Sequence, residues 1–214
     1  MDAKASAPHL RDMVEVKICG LTTVEDAVQC VEAGADAIGL NFWSGSPRCV
    51  EVATARVIAQ AVGDRAETVG VFVDFTLEQI REILEQTGIR WAQLHGSEPP
   101  QLVAALLPYA YKALGVQDRS VVELSRAYPG EHLLLDASVP GLPGGTGRTF
   151  DWDIAAEVAK ERKLTLAGGL RPQNVAQAVR TVQPHRVDVA SGVEKSPGRK
   201  DLSLVHAFIA AAKN

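Results

Sequence analysis

At 214 residues, with 46% hydrophobic and 22% charged residues, the chain has room for one large domain and lacks the composition of a disordered protein. A net charge of −4 without a basic face argues against a nucleic-acid partner, although local dipoles and single cations can still hold a small anion. No apolar run approaches the ~18–20 residues of a membrane span, so no membrane partner is expected. The polar residues 1–12 lack the apolar core of a signal peptide. Three cysteines, Cys19, Cys30 and Cys49, form no CxxC and no metal-ligand cluster. Their odd number suggests a reducing compartment, and the expectation is a cytoplasmic protein.

In chain order, eight short runs rich in Val, Ile and Leu read as strands: 14–19, 37–42, 68–73, 91–94, 111–114, 132–136, 164–167 and 187–190. Several lack polar alternation, as expected of strands covered on both faces. Amphipathic segments lie between them. Thr22-Thr23-Val24-Glu25 reads as a capping box launching a helix over 24–32, with Gly34 as its stop. A second helix is expected over 53–62. Thr76-Leu77-Glu78-Gln79 starts a third, with Ile80, Ile83 and Leu84 on one face and Gly88 at its end. Further helices are expected over 99–107, 121–127, 153–161, 174–182 and 202–212. Eight strand–helix repeats imply parallel strands and right-handed crossovers, and predict a single-domain (β/α)8 TIM barrel over 14–214 behind a flexible tail, 1–13. An open, doubly wound sheet is the runner-up; it generally uses fewer strands, and no GxGxxG follows the first strand.

Barrel chemistry sits at the carboxyl ends of the strands. The residues ending these runs are Cys19, Asn41, Asp74, His95, Gly115, Asp136, Gly168 and Ser191. Singly, a cysteine reads as core filler, an aspartate as a turn cap and a Gly-Gly pair as a tight turn. A thiol and a carboxylate on roughly opposite sides of one barrel mouth read as a site. Gly168-Gly169 and Ser191-Gly192, after the seventh and eighth strands, suit a phosphate because no Cβ blocks approach to their main chain.

Lys17-Ile18-Cys19-Gly20, Ser46-Pro47-Arg48, Gly70-Val71-Phe72-Val73, Gln93-Leu94-His95-Gly96, Leu135-Asp136, Gly144-Gly145-Thr146-Gly147, Phe150-Asp151-Trp152, Gly168-Gly169-Leu170 and Asp188-Val189-Ala190-Ser191-Gly192-Val193-Glu194 occur in this order. Together they resemble the phosphoribosylanthranilate isomerases, from about Glu15 to the C-terminal helix. The resemblance implies a cofactor-free, metal-free Amadori rearrangement of N-(5-phosphoribosyl)anthranilate to 1-(2-carboxyphenylamino)-1-deoxyribulose 5-phosphate in tryptophan biosynthesis. It assigns the base to Cys19, the acid to Asp136 and the substrate carboxylate to Arg48.

His95, Asp188 and Lys17 are expected to contact or frame the substrate. Lys17 shares the barrel face of Cys19 and could favour its thiolate; burial among Leu133 and Leu135 would help Asp136 hold a proton. Cys30 and Cys49 read as packing. The Gly- and Pro-rich residues 137–147 read as a lid over the acid. A small phosphorylated substrate is the expected partner, with monomer and homodimer both open. Two rivals remain: a phosphoanion-binding barrel without chemistry, and the histidine-pathway isomerase, whose first catalytic aspartate would stand where this chain has Cys19.

Overall fold

Strands and helices alternate through residues 13–136 and 151–214, which the computed structural model describes. The first four strands are β1 (Glu15–Cys19), β2 (Ala37–Asn41), β3 (Glu67–Phe72) and β4 (Trp91–Leu94). The next four are β5 (Ala110–Gly115), β6 (His132–Asp136), β7 (Lys163–Ala167) and β8 (Arg186–Val189). All pair in parallel with their sequence neighbours, and β8 returns to β1, closing a barrel. Helices α1 (Val24–Glu32), α2 (Val52–Val62), α3 (Leu77–Thr87) and α4 (Pro100–Leu106) cover the first half. Helices α5 (Ser120–Ala127), α6 (Trp152–Ala159), α7 (Val175–Val182) and α8 (Leu202–Lys213) cover the second. This is the expected single-domain (β/α)8 barrel. No described helix is long and apolar enough to cross a membrane.

The period-two alternation of each strand sorts its side chains into two environments. Outward residues such as Val16, Ile18, Leu133 and Leu135 join the apolar layer under the helices. Inward, Val69, Trp91, Tyr111, Ala113, Leu134 and Ala167 form a smaller cluster. The barrel interior also carries buried polar groups, notably Lys17, Gln93 and Asp188. At the amino end of the strands, buried Arg186 ties Glu15 to Glu67.

One local expectation needs correction. The α1 cap is Thr23, whose hydroxyl accepts from the Asp26 N–H; Thr22 and Glu25 form no capping box. Thr22 instead donates to the Gly198 carbonyl at 2.7 Å. That carbonyl sits in the turn of an unexpected hairpin of β9 (Glu194–Ser196) and β10 (Arg199–Lys200). The Thr76–Gln79 capping box and the left-handed Gly88 cap are present on α3. The expected lid at 137–147 and, apart from exposed Met13, the expected tail lie outside the described residues.

Candidate active site

The carboxyl ends of the strands surround a cleft of about 260 Å³. Its lining draws Cys19 from β1, Asn41 from β2, Gln93 from β4 and Asp136 from β6. Arg48, His95, Asp188, Gly168, Gly169, Ser191 and Gly192 line it as well. Two strand-end residues read from the sequence do not. Gly115 lies outside the lining, and Asp74 adopts a left-handed backbone (φ 57) with its carboxylate accepting the Ser97 N–H at 2.6 Å.

Lys17, expected against the substrate, is fully buried beneath the cleft and does not line it. A charge there must be paired, and its ammonium donates to Asp188 Oδ2 at 3.1 Å and Gln93 Oε1 at 2.9 Å. Burial opposes the charge, but Asp188, with Cys19 and Tyr111, outweighs it and holds Lys17 above its ordinary value. The second oxygen of Asp188, Oδ1, is buried with no hydrogen-bond partner among the described residues.

The expected ionisation of Cys19 is also corrected. Burial raises its thiol, and this outweighs the opposing pull of Lys17 and Lys200; Asp188 adds to the rise. The resting group is therefore a thiol at neutral pH. Lys17 moderates the cost of the thiolate without making it the ground state.

Asp136 faces inward from the end of β6, close to His95, whose Nε2 lies 3.5 Å from Asp136 Oδ2. Leu133 and Leu135 cannot supply its apolar surroundings, because both join the layer under the helices. The inward neighbour on its strand is Leu134.

Arg48 reaches the cleft already engaged. Its Nε and Nη2 donate to the two oxygens of Glu194 at 2.9 and 2.6 Å. Lys200, buried, donates to the same carboxylate at 2.9 Å and to the carbonyls of Cys19 (2.6 Å) and Ala190 (3.2 Å). One ammonium thus joins the end of β1, the loop after β8 and the partner of Arg48. Burial pushes the Glu194 carboxyl up, yet Arg48 and Lys200 together hold it below its usual range. Sequence reasoning missed Glu194, Lys200 and Gln93 as site components. Glu194 and Gln93 stood inside quoted motifs, but polar residues beside a stronger candidate carry no separate signal.

The loops after β7 and β8 meet where Gly192 approaches the Leu170 carbonyl. Gly168 and Gly169 have consecutive positive φ values of 88° and 64°, which other residues reach only with strain. At Gly192 a Cβ would lie 2.0 Å from the Leu170 carbonyl oxygen. Only glycine permits that approach.

A broader depression of about 990 Å³ at the opposite rim is lined by Glu15, Glu131, Lys163 and His185, among others. Some of its charges are paired, Lys163 with Glu131 inside the lining and Glu15 with Arg186 behind it. Among the described residues, no cluster of three or more His, Cys, Asp or Glu is arranged to hold a metal.

A thiol and a carboxyl sharing the mouth of a closed parallel barrel place the chain among the (β/α)8-barrel enzymes. The profile of the N-(5'phosphoribosyl)anthranilate (PRA) isomerase family matches residues 16–211. The N-(5'-phosphoribosyl)anthranilate isomerase of Pelobacter propionicus is 45% identical over 201 residues, covering 94% of this chain and 96% of that protein. The crystal structure of the Thermotoga maritima enzyme is 40% identical, with a TM-score of 0.87, and covers 94% of this chain and 99% of that one. A phosphoribosylanthranilate isomerase solved with reduced 1-(o-carboxyphenylamino)-1-deoxyribulose 5-phosphate is 38% identical, with a TM-score of 0.83 and the same coverage. The chain belongs to the phosphoribosylanthranilate isomerase family.

Proposed function

We propose that the cleft performs the Amadori rearrangement of N-(5-phosphoribosyl)anthranilate, with Asp136 as general acid and Cys19 as general base. The observation that carries this reading is that both groups line one cleft at the same barrel rim. Asp136 protonates the furanose ring oxygen, the C1′–O bond breaks, and an iminium forms at C1′. Cys19 removes the C2′ proton to give the enolamine, which tautomerises to the ketone. Proton in and proton out balance, so no redox partner is required.

The raised thiol fits this order of events. A thiolate is costly in the free protein, and the iminium cation arriving beside Cys19 lowers that cost only after the ring has opened. Asp188 supports the same charge; its Oδ1, without a partner among the described residues, can accept a hydrogen bond from a substrate N–H or hydroxyl. Arg48 receives the anthranilate carboxylate through the face that Glu194 leaves free. The main chain at Gly168-Gly169 and Ser191-Gly192 holds the phosphate. Lys17 acts from below as a charge that steadies Asp188 and Cys19. No metal or cofactor enters the scheme, and the site of action is the cytoplasm.

Fluorescence-monitored turnover of phosphoribosylanthranilate generated in situ tests the proposal. Consumption of the substrate by the purified protein supports it. Tight binding of the product without turnover would favour a phosphoanion-binding barrel instead.

A further inference from the structure

Gln93 stands between the buried Lys17 and the rim histidine. Its Oε1 accepts from Lys17 Nζ at 2.9 Å and from the Tyr111 hydroxyl at 3.1 Å. An ammonium has only donors, so the amide atom facing it must be the oxygen. Lys17 keeps its charge through Asp188, and burial pushes the Tyr111 phenol up to about 12, so both groups remain donors. With the oxygen fixed, the amide nitrogen points at His95 Nδ1, 3.0 Å away. That nitrogen can only donate. Nδ1 must therefore accept, and the proton of the neutral ring sits on Nε2, the atom nearest Asp136.

We infer that Gln93 is a positioning residue that locks His95 in the Nε2–H tautomer and aims that N–H at the carboxyl of Asp136. The inference rests on the reading of Asp136 as the general acid. As Asp136 gives up its proton, negative charge develops on its oxygens, and an N–H at Oδ2 stabilises that charge. The other tautomer would present a lone pair to the carboxylate and set two donors against each other at Gln93. The 3.5 Å separation is long for a hydrogen bond, as catalytic contacts often are before substrate binds. The lock is shielded from solvent, because Lys17, Gln93 and Tyr111 are each at most 2% exposed.

The test is ¹⁵N NMR of histidine-labelled, ligand-free full-length protein, with the His95 signals assigned by their loss in His95→Asn. The expected spectrum shows Nδ1 unprotonated and Nε2 protonated. Gln93→Glu keeps the shape and the acceptors for Lys17 and Tyr111, but opposes Nδ1 with an oxygen. It should protonate Nδ1 and lower kcat roughly 10- to 100-fold, because the N–H that meets the charge developing on Asp136 is lost, while KM changes less than about threefold. A wild-type ring protonated on Nδ1 alone would overturn the inference. So would a Gln93→Glu variant that keeps wild-type kcat or the wild-type tautomer. Should that variant not fold, the wild-type spectrum decides alone. The spectrum needs no substrate, so wild-type protein lacking turnover would sink the isomerase reading while the tautomer is still measured independently.

Discussion

Burial and a nearby ammonium pull Cys19 in opposite directions, and burial wins. Its thiolate fraction should therefore keep rising above the ordinary thiol range, near ~8.5. In a Cys49→Ser background, since Cys49 is exposed and Cys30 buried, iodoacetamide modification of Cys19 is expected to keep accelerating above that range. Lys17→Met removes a charge that favours the thiolate, so modification at any fixed pH should slow. The same change strands Asp188 as a buried carboxylate and should cost about 3–5 kcal/mol in denaturant unfolding. An unchanged modification profile would refute the electrostatic link. The sequence showed that Lys17 and Cys19 share a face, because strand alternation is a local rule. It did not show that Lys17 is capped by Asp188 and Gln93, 171 and 76 positions away. Such long-range pairing decides whether a lysine contacts ligand or supports the floor beneath it.

The loops after β7 and β8 depend on the absence of side chains where they meet. Gly192→Ala would drive a methyl into the Leu170 carbonyl, so one loop must move. Steady-state kinetics should show KM raised about tenfold, equivalent to ~1.4 kcal/mol, with a smaller change in kcat. The β9–β10 hairpin works differently, through the Glu194 contacts with Arg48 and Lys200. The folded-state pKa of Glu194 is depressed. Its stabilisation is thus complete above the ordinary glutamate range and is lost as pH falls through the lowered value. Unfolding experiments should show wild type losing more stability than Glu194→Gln across that acidic window; parallel losses would contradict the linkage. Barrel strands and helices were legible because apolar periodicity extends over whole segments. The hairpin was not: β9 and β10 have three and two residues, too few for any period. Strand starts were also misplaced where polar Glu67, Lys163 and Arg186 enter the ladder, since barrel pairing rather than hydrophobicity sets those ends.

The barrel divides its labour between its rims. The carboxyl rim gathers the reactive groups, whereas the amino rim is tied by Arg186 to Glu15 and Glu67. Arg186→Gln should lower stability by roughly 1–3 kcal/mol, less than a fully buried pair would cost because both glutamates are about a third exposed. Its kcat should stay within about twofold of wild type. A large loss of kcat with stability intact would mean the rims are coupled. The order of strand-end residues made the functional rim legible in the sequence, because eight parallel strands must all end on the same side. The neighbours of Asp136 were misassigned although strand alternation already turns Leu133 and Leu135 away from it.

The central claim is the division of proton transfer between Cys19 and Asp136, and paired measurements on Cys19→Ser and Asp136→Asn test it most directly. Each variant is expected to lose roughly 10²–10⁴-fold in kcat while binding a reduced product analogue within about threefold of wild type. If either variant kept kcat within tenfold of wild type while binding the analogue normally, that residue would not be moving the proton assigned to it.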